Sequence, residues 1–256
     1  MDIPVFTAPA ASVTFVGAGP GSAQHLTLGA LRALQGADVV VHDRLVGPEV
    51  LALIPGHVSR IDAGKQGFGP STTQDSINAA IVAEALAGRR VVRLKGGDVG
   101  IFGRLDEEIE ALEANGLSFA ILPGLTSASV AAAAIGQSLT KRGRNKSLRI
   151  VTGHDLEGFA EQDWRGLAQK GEVAAIYMGK KSARFVQGRL MMHGADPTTD
   201  ITVVENVSLP DQRIFAGNLG CLAQTADQAT GPAVILFGLA PRRAARTLET
   251  LKEARA

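Results

Sequence analysis

From Lys95 to Glu108 the chain reads KGGDVGIFGRLDEE, a run in which cations, carboxylates and glycines crowd together. Gly96 and Gly97 would let main-chain groups touch a ligand with no Cβ in the way, and Asp98 could accept hydrogen bonds from an amine or a ribose. Arg104 stands at the entrance of a following helix, with Glu107 and Glu108 a turn later. The same residues would also make an ordinary tight turn before a solvated, acidic helix start, because carboxylates suit the positive end of the helix dipole. A second concentration is cationic. Between Glu113 and Asp155 there is no Asp or Glu, yet Lys141, Arg142, Arg144, Lys146 and Arg149 lie there. That asymmetry makes a local positive field, fit for a polyanion or simply a solvated basic loop. Nucleic acid is disfavoured as the polyanion, since no aromatic residue for base stacking lies between Phe119 and Phe159.

The elements that would position these groups read as alternating strands and helices. Val13 to Val16 is expected as a strand running into Gly17-Ala18-Gly19-Pro20-Gly21, followed by a helix carrying Leu26, Leu28, Leu31 and Leu34 and ending at Gly36. Ala37 to His42 is the next strand, with Asp43-Arg44 at its carboxyl edge. An acid about 20 residues after a glycine run is the dinucleotide-binding pattern, although GAGPG lacks the usual gap before its last glycine. Asp43 is thereby open to three roles: ribose ligand, catalytic acid or loop residue.

Val58 to Asp62 leads to Gly64-Lys65, and Ser71, Thr72 or Thr73 caps a helix through Leu86 with Ile77, Ile81 and Ala85 on one face. Strands Arg90 to Leu94 and Leu117 to Leu122 enclose a helix from Asp106 to Leu112. An alanine-rich helix from Ser129 to Ile135 follows, capped by Thr126 or Ser127. Strands Leu148 to Thr152, Val173 to Met178, Ile201 to Val207 and Ala233 to Gly238 come next, with a helix near Lys181 to His193 and loops at 194–200 and 208–213. The plan is an N-terminal α/β domain at 12–124, a C-terminal α/β domain at 125–241 and a tail at 242–256, read as an exposed helix from Pro241 on. In such folds the loops at the carboxyl ends of the strands line the ligand crevice.

Composition agrees with an α/β enzyme. The 256 residues are 45% hydrophobic and 20% charged, with 30 glycines, enough for one or two domains with a sizeable core. No apolar run reaches the ~18 residues that span a bilayer, and Met1 to Ser12 lacks the basic start and apolar middle of a signal peptide. No membrane association and a cytoplasmic setting are therefore expected. The single Cys221 excludes an internal disulfide and disfavours a cysteine-based metal site, so no metal is expected.

Nine segments, taken in order, resemble the tetrapyrrole methylase family. They are VGAGPG (Val16 to Gly21), HDRLV (His42 to Val46), Gly64-Lys65, VVRLKGGD (Val91 to Asp98), IFGR with the Glu107-Glu108 pair, PGLTSA (Pro123 to Ala128), LTKR (Leu139 to Arg142), VTGHD (Val151 to Asp155) and YMG (Tyr177 to Gly179). The resemblance runs from Val13 to Leu239. It implies a two-domain tetrapyrrole methylase fold with the cofactor cleft between the domains, not a Rossmann-type methyltransferase. It also implies S-adenosylmethionine as methyl donor, S-adenosylhomocysteine as product, and a homodimer.

The activity implied is transfer of two methyl groups to uroporphyrinogen III, giving precorrin-2 for sirohaem, cobalamin or haem d1 synthesis. A later precorrin intermediate is the alternative substrate. Carried over by position, the resemblance assigns cofactor contacts to Pro20, Gly96, Gly97, Asp98, Ile101, Thr126, Ser127, Met178 and Val207. Asp43 matches the proton acceptor and Lys65 the proton donor, while Arg104, Glu107 and Arg142 match residues on the tetrapyrrole side. Ser22-Ala23 depart from a commoner Asp-Pro, Val99-Gly100 and Leu105-Asp106 also differ, and Lys141 replaces a His.

The implied chemistry suits these residue types. An electron-rich pyrrole carbon must approach the sulfonium methyl in line, and positioning supplies part of the ~7–11 kcal/mol available from orientation. A proton must then leave the macrocycle, so a base is needed. Guanidinium stays protonated to pH ~12 or beyond. Arg104 and Arg142 are accordingly expected as clamps on the carboxylates of the polyanionic small-molecule substrate, with Asp43, Glu107 or a water taking the proton. Two readings from other classes remain: a nicotinamide-dependent oxidoreductase built on GAGPG and Asp43, and an RNA-binding module using the Lys141 to Arg149 patch.

Overall fold

The computed structural model describes residues 12–64, 73–155 and 158–243. The chain divides into two compact units, Met1–Thr126 and Ser127–Ala256.

In the first unit, valine-rich segments form β1 (Val13–Gly17), β2 (Val39–His42) and β4 (Val91–Lys95), and the strands β3 (Ser59–Asp62) and β5 (Phe119–Leu122) join them. They pair as one parallel sheet in the order β3-β2-β4-β1-β5. A parallel sheet is covered on both faces, and period-two alternation divides the strand residues accordingly. Val16, Val40, Val92 and Leu94 pack on one face with Leu34 and Val50. Val13, Phe15, Val39, Val41 and Val91 pack on the other with Ile81 and Leu112. The covering helices are α1 (Leu28–Gly36), α2 (Pro48–Ala52), α3 (Gln74–Leu86) and α4 (Leu105–Glu113).

The helix starts follow from caps. The Thr27 side chain accepts from Ala30 N, and the Thr73 side chain from Ser76 N. The Thr27 cap moves the start of α1 beyond Leu26, which follows a 3-10 turn at Ala23–His25, and leaves Leu28 70% exposed. Ala30 and Leu34 are the buried residues of that helix, so of the expected leucine row only Leu34 is buried. The short α2, with Pro48 in its first turn, was not foreseen.

The second unit holds β6 (Arg149–Thr152), β7 (Ala174–Tyr177), β8 (Asp200–Glu205), β9 (Arg213–Asn218) and β10 (Ala233–Phe237), in the order β6-β7-β10-β8-β9. β6 and β7 run parallel, and the remaining neighbours are antiparallel. Its helices are α5 (Ser127–Ala134), α6 (Trp164–Leu167), α7 (Ala183–Met192) and α8 (Leu222–Asp227). α5 begins at Ser127, two residues before the expected start, and buries Ala128, Val130, Ala131 and Ala132. α6, β9 and α8 are additions to the expected plan. The tail helix expected from Pro241 on falls outside the described residues beyond Arg243, and Pro241 to Arg243 are not helical.

Candidate functional site

β2 and β4 are neighbours in register, with Val39 beside Val91 and Val41 beside Arg93. Side chains alternate, so Val39, Val41 and Asp43 share a side of the sheet with Val91, Arg93 and Lys95. The apolar half of that side belongs to the core, and the charged half lies toward the carboxyl edge. Over it α4 lays Glu108 and Leu112, one turn apart and both buried.

The result is a buried charge cluster: Arg93 is 1% exposed, Lys95 4% and Glu108 1%. Oε1 of Glu108 accepts from Arg93 Nε at 3.0 Å, Arg93 Nη2 at 2.9 Å, Lys95 Nζ at 2.8 Å and Gln74 Nε2 at 3.2 Å. Arg93 Nη2 also donates to Asp43 Oδ1 at 2.6 Å, while Nη1 faces the carbonyl oxygens of Val41 and Leu94 at 3.5 and 3.4 Å. The Asp43 side chain is 32% exposed, so the cluster opens to solvent there. Burial pushes the Lys95 amine below its ordinary range and the adjacent Arg93 adds to the effect, against the pull of Glu108 and Asp43. Removing one member of such a set leaves a buried charge uncompensated and costs ~3–5 kcal/mol.

Glu108 is thus no part of a solvated helix start. Arg93, Lys95 and Glu108 are the site residues that motif reading passed over. The signal was available: two cations at i and i+2 on an otherwise apolar buried strand require a buried counter-charge. The ribose role left open for Asp43 also loses ground, because its carboxylate is tied to Arg93.

Beside the cluster, three glycine turns pack closely together, two of them bonded main chain to main chain. Gly19 and Gly97 exchange both backbone hydrogen bonds, at 3.1 and 2.7 Å, and Ala18 N donates to Lys95 O at 2.8 Å. Gly97 has φ of 74°, a conformation that glycine adopts freely. A Cβ on Gly17 would clash with the backbone of Gly124, and one on Gly124 with the Gly97 carbonyl. Asp98 pins the same junction, with Oδ1 accepting from Gly100 N and Oδ2 from Gly124 N, each at 2.9 Å. Gly97 therefore spends its polar groups on Gly19, whereas half-buried Gly96, Asp98 and Ile101 line the turn itself. Pro20 is half-buried after Gly19. Next to it, Ser22 Oγ and Ala23 N both donate to Glu49 Oε2 at 3.0 Å. A proline at position 23 would have no N–H to give, so the departure at Ser22-Ala23 comes with its own anchor on α2.

Arg104 caps α4 at φ of 52° and grips Glu107 with both arms, Nε to Oε1 at 2.7 Å and Nη2 to Oε2 at 2.6 Å. Both side chains are about half exposed. The Glu107 hydrogen bonds raise the Arg104 pKa above its usual range, and the same bonds hold the Glu107 carboxyl below the ordinary carboxylate range. The fork expected to be free for a substrate carboxylate is thus filled by Glu107. An exposed pair of this kind contributes only ~0–1 kcal/mol, so another carboxylate can displace it. A pocket of about 370 Å³ runs along this segment, lined by Val99, Phe102, Arg104 and Glu107 among others. Thr126 ends the first unit, half-buried. Lys65 lies outside the described residues.

In the second unit, Ser127 opens α5, and Ala128 N donates to Tyr177 Oη at 2.9 Å, which joins the helix start to the end of β7. Met178 follows at φ of 52° with half its surface exposed. Val207 lies two residues past β8 and is buried in the core, which leaves its backbone for any ligand. The end of β8 is fixed by Glu205. Burial raises its pKa, but hydrogen bonds from Gly231 N, Thr230 N and Arg213 outweigh this and hold the carboxyl low.

The basic patch divides. Arg149 pairs with Asp163 and Glu172, and Arg144 donates to Ser138 O and Asn145 Oδ1. Lys141, Arg142 and Lys146 stand exposed on the turn so built. The field inferred from the acid-free segment is accordingly carried by four residues, not five, because acids distant in sequence neutralise Arg149 while the neutral acceptors of Arg144 leave its charge in place. Among the described residues, no group of three or more His, Cys, Asp or Glu could hold a metal ion, and no helix is long and apolar enough to cross a membrane.

Fold and site define an α/β protein of two compact units whose first, parallel sheet gathers glycine turns and a buried charge cluster at its carboxyl edge. The chain belongs to the tetrapyrrole methylases: the family model of Tetrapyrrole (Corrin/Porphyrin) Methylases matches residues 12–223. A siroheme synthase of Edwardsiella ictaluri is 44% identical over 226 residues, which are 88% of this chain and 49% of that protein. A siroheme synthase of Yersinia pestis is 43% identical over 91% of this chain and 50% of its own length. The chain thus spans about half the length of the curated relatives it matches.

Among solved structures, uroporphyrin-III C-methyl transferase from Thermus thermophilus, complexed with S-adenyl homocysteine, aligns with a TM-score of 0.76 and 34% identity, covering 88% of this chain and 96% of that one. A cobalt precorrin-4 methyltransferase aligns with a TM-score of 0.80 at 22% identity, covering 91% and 98%, a likeness of fold alone. The fold is the tetrapyrrole methylase fold and not the Rossmann type.

Proposed function

We propose that the chain is an S-adenosylmethionine-dependent C-methyltransferase that adds two methyl groups to uroporphyrinogen III and yields precorrin-2, a precursor of sirohaem, cobalamin or haem d1. The observation that carries the reading is the likeness to the Thermus thermophilus enzyme across nearly all of that chain. The residues fit the donor. A sulfonium nucleoside calls for close main-chain approach beside an acceptor, and the half-buried turn of Gly96 and Asp98 offers both. In this proposal Pro20, Gly96, Gly97, Asp98, Ile101, Thr126, Ser127, Met178 and Val207 hold S-adenosylmethionine, which supplies the methyl group and leaves as S-adenosylhomocysteine.

The chain's own residues supply the rest. Asp43, the solvent-facing end of the buried cluster, takes the proton that leaves the macrocycle after methylation. Glu107 is the weaker choice for that task, because Arg104 engages both of its carboxylate oxygens, whereas Arg93 holds Asp43 through Oδ1. Arg104 and exposed Arg142 grip substrate carboxylates, and Lys65 keeps the proton-donor position that the resemblance assigns to it, while one proton per methyl group leaves to solvent. A homodimer and a cytoplasmic setting belong to the same proposal on the strength of the family alone; sedimentation equilibrium tests the first.

The function is tested by mass spectrometry of tetrapyrroles after incubation with S-adenosylmethionine and, in separate reactions, uroporphyrinogen III and later precorrins. Methylation of uroporphyrinogen III in preference to the others is expected. Methylation confined to a later precorrin would overturn the substrate assignment and leave the methyltransferase reading standing.

A further inference from the structure

The cluster under α4 has a shape that stability does not explain. Burying Arg93, Lys95 and Glu108 in the covered half of a parallel sheet is expensive, and apolar residues of similar volume commonly serve such positions as well or better. Four donors converge on Oε1 of Glu108, while Oε2 is buried with no hydrogen-bond partner among the described residues. The arrangement is thus not arranged to satisfy Glu108. What it does fix is Arg93. Two bonds to Glu108 and two backbone carbonyls immobilise the guanidinium, and its Nη2 then holds Asp43 Oδ1 at 2.6 Å. Among the charged members of the chain of contacts Asp43 is the exposed one, at 32% against 2%, 4% and 0% for the side chains of Arg93, Lys95 and Glu108, and half-buried Gln74 closes the other end.

We infer that Glu108 is a positioning residue: through Arg93 it sets the carboxylate of Asp43 in the orientation from which Asp43 takes the substrate's proton. The inference rests on the proposed role of Asp43. Lys95 balances the second anion, so two cations face two carboxylates and the cluster is formally neutral. Glu108 itself stays beneath the sheet edge and touches no substrate.

The test is a double-mutant cycle on methyl transfer with wild type, E108Q, D43N and D43N/E108Q. Misplacing a reacting group by about 1 Å can cost on the order of 100-fold, so E108Q is expected to lower kcat by roughly 10- to 100-fold. KM for uroporphyrinogen III and the calorimetric Kd for S-adenosylhomocysteine should stay within about threefold, the signature of an interaction felt in the transition state. Because Glu108 acts through Asp43, adding E108Q to D43N should slow it by less than about twofold. Slowing of D43N by the same factor as wild type would overturn the inference, as would equal losses in KM and S-adenosylhomocysteine affinity. A D43N variant at the wild-type rate would instead remove the acceptor role of Asp43; failure of the positioning role alone leaves D43N slow. Should E108Q not fold, K95M/E108Q deletes one charge of each sign and takes its place with the same expected outcomes.

Discussion

At the scale of single residues, the arrangement of carboxylates around arginines sets what each can do. Arg104 holds Glu107 at the surface in a fork worth little energy, so a substrate carboxylate can take Glu107's place. Arg104→Lys keeps the charge and loses the planar fork. KM for uroporphyrinogen III should then rise by about tenfold, one bidentate bond's worth of ~1.4 kcal/mol, with S-adenosylhomocysteine affinity unchanged; lost turnover at unchanged KM would contradict the clamp. Asp38 illustrates a structural pair. Hydrogen bonds from the Arg90 side chain, and then from its backbone N–H, bring the Asp38 carboxyl from 3.8 to about 2. A depressed carboxyl stabilises above its unfolded value and loses that contribution as pH falls through the folded one. The stability gap between wild type and Asp38→Asn should therefore close as pH drops from 3.8 to about 2 in urea titrations. A gap constant over that window would show that the pair contributes nothing.

At the scale of elements, the glycine turns after β1 and β4 are joined by backbone bonds, and the turn after β5 is joined to them through Asp98 and close main-chain packing. Gly124→Ala would drive a methyl into the Gly97 carbonyl and the Gly17 main chain. Overpacking of this kind costs ~1–3 kcal/mol, to be read as a lower urea midpoint and weakened S-adenosylhomocysteine binding; unchanged values would mean that the turns are not locked together. The strands of the first sheet were legible in sequence because each is a short run, valine-rich in β1, β2 and β4, closed by a glycine or polar turn. β9, with the sequence RIFAGN, was not. It is an edge strand with four of six residues exposed and a glycine inside, so no clean alternation marks it. α1 was misplaced for a different reason: the leucine row suggested a longer apolar stripe, but the Thr27 cap decided where the helix begins. Glu108 was legible only through Arg93 and Lys95, because a glutamate in a first helical turn looks solvated unless the strand beneath it is charged.

At the scale of the whole molecule, each unit has its own buried core and its own set of residues at strand ends. Family membership gave roles to Asp43, Arg104 and Arg142 that spacing alone left open, since a single carboxylate after a strand supports several chemistries. Ligand linkage provides a readout for the intact protein. S-adenosylhomocysteine at 100 times its Kd should stabilise the fold by ~2.7 kcal/mol, and a nicotinamide dinucleotide at the same concentration should not. The central claim, methyl transfer onto a tetrapyrrole, is tested most directly by counting methyl groups. Purified protein is given isotopically labelled S-adenosylmethionine and enzymatically generated uroporphyrinogen III, and label in the tetrapyrrole is followed to completion. The account predicts a rise through one to two labelled methyl groups per macrocycle; a tetrapyrrole that emerges without label would contradict it.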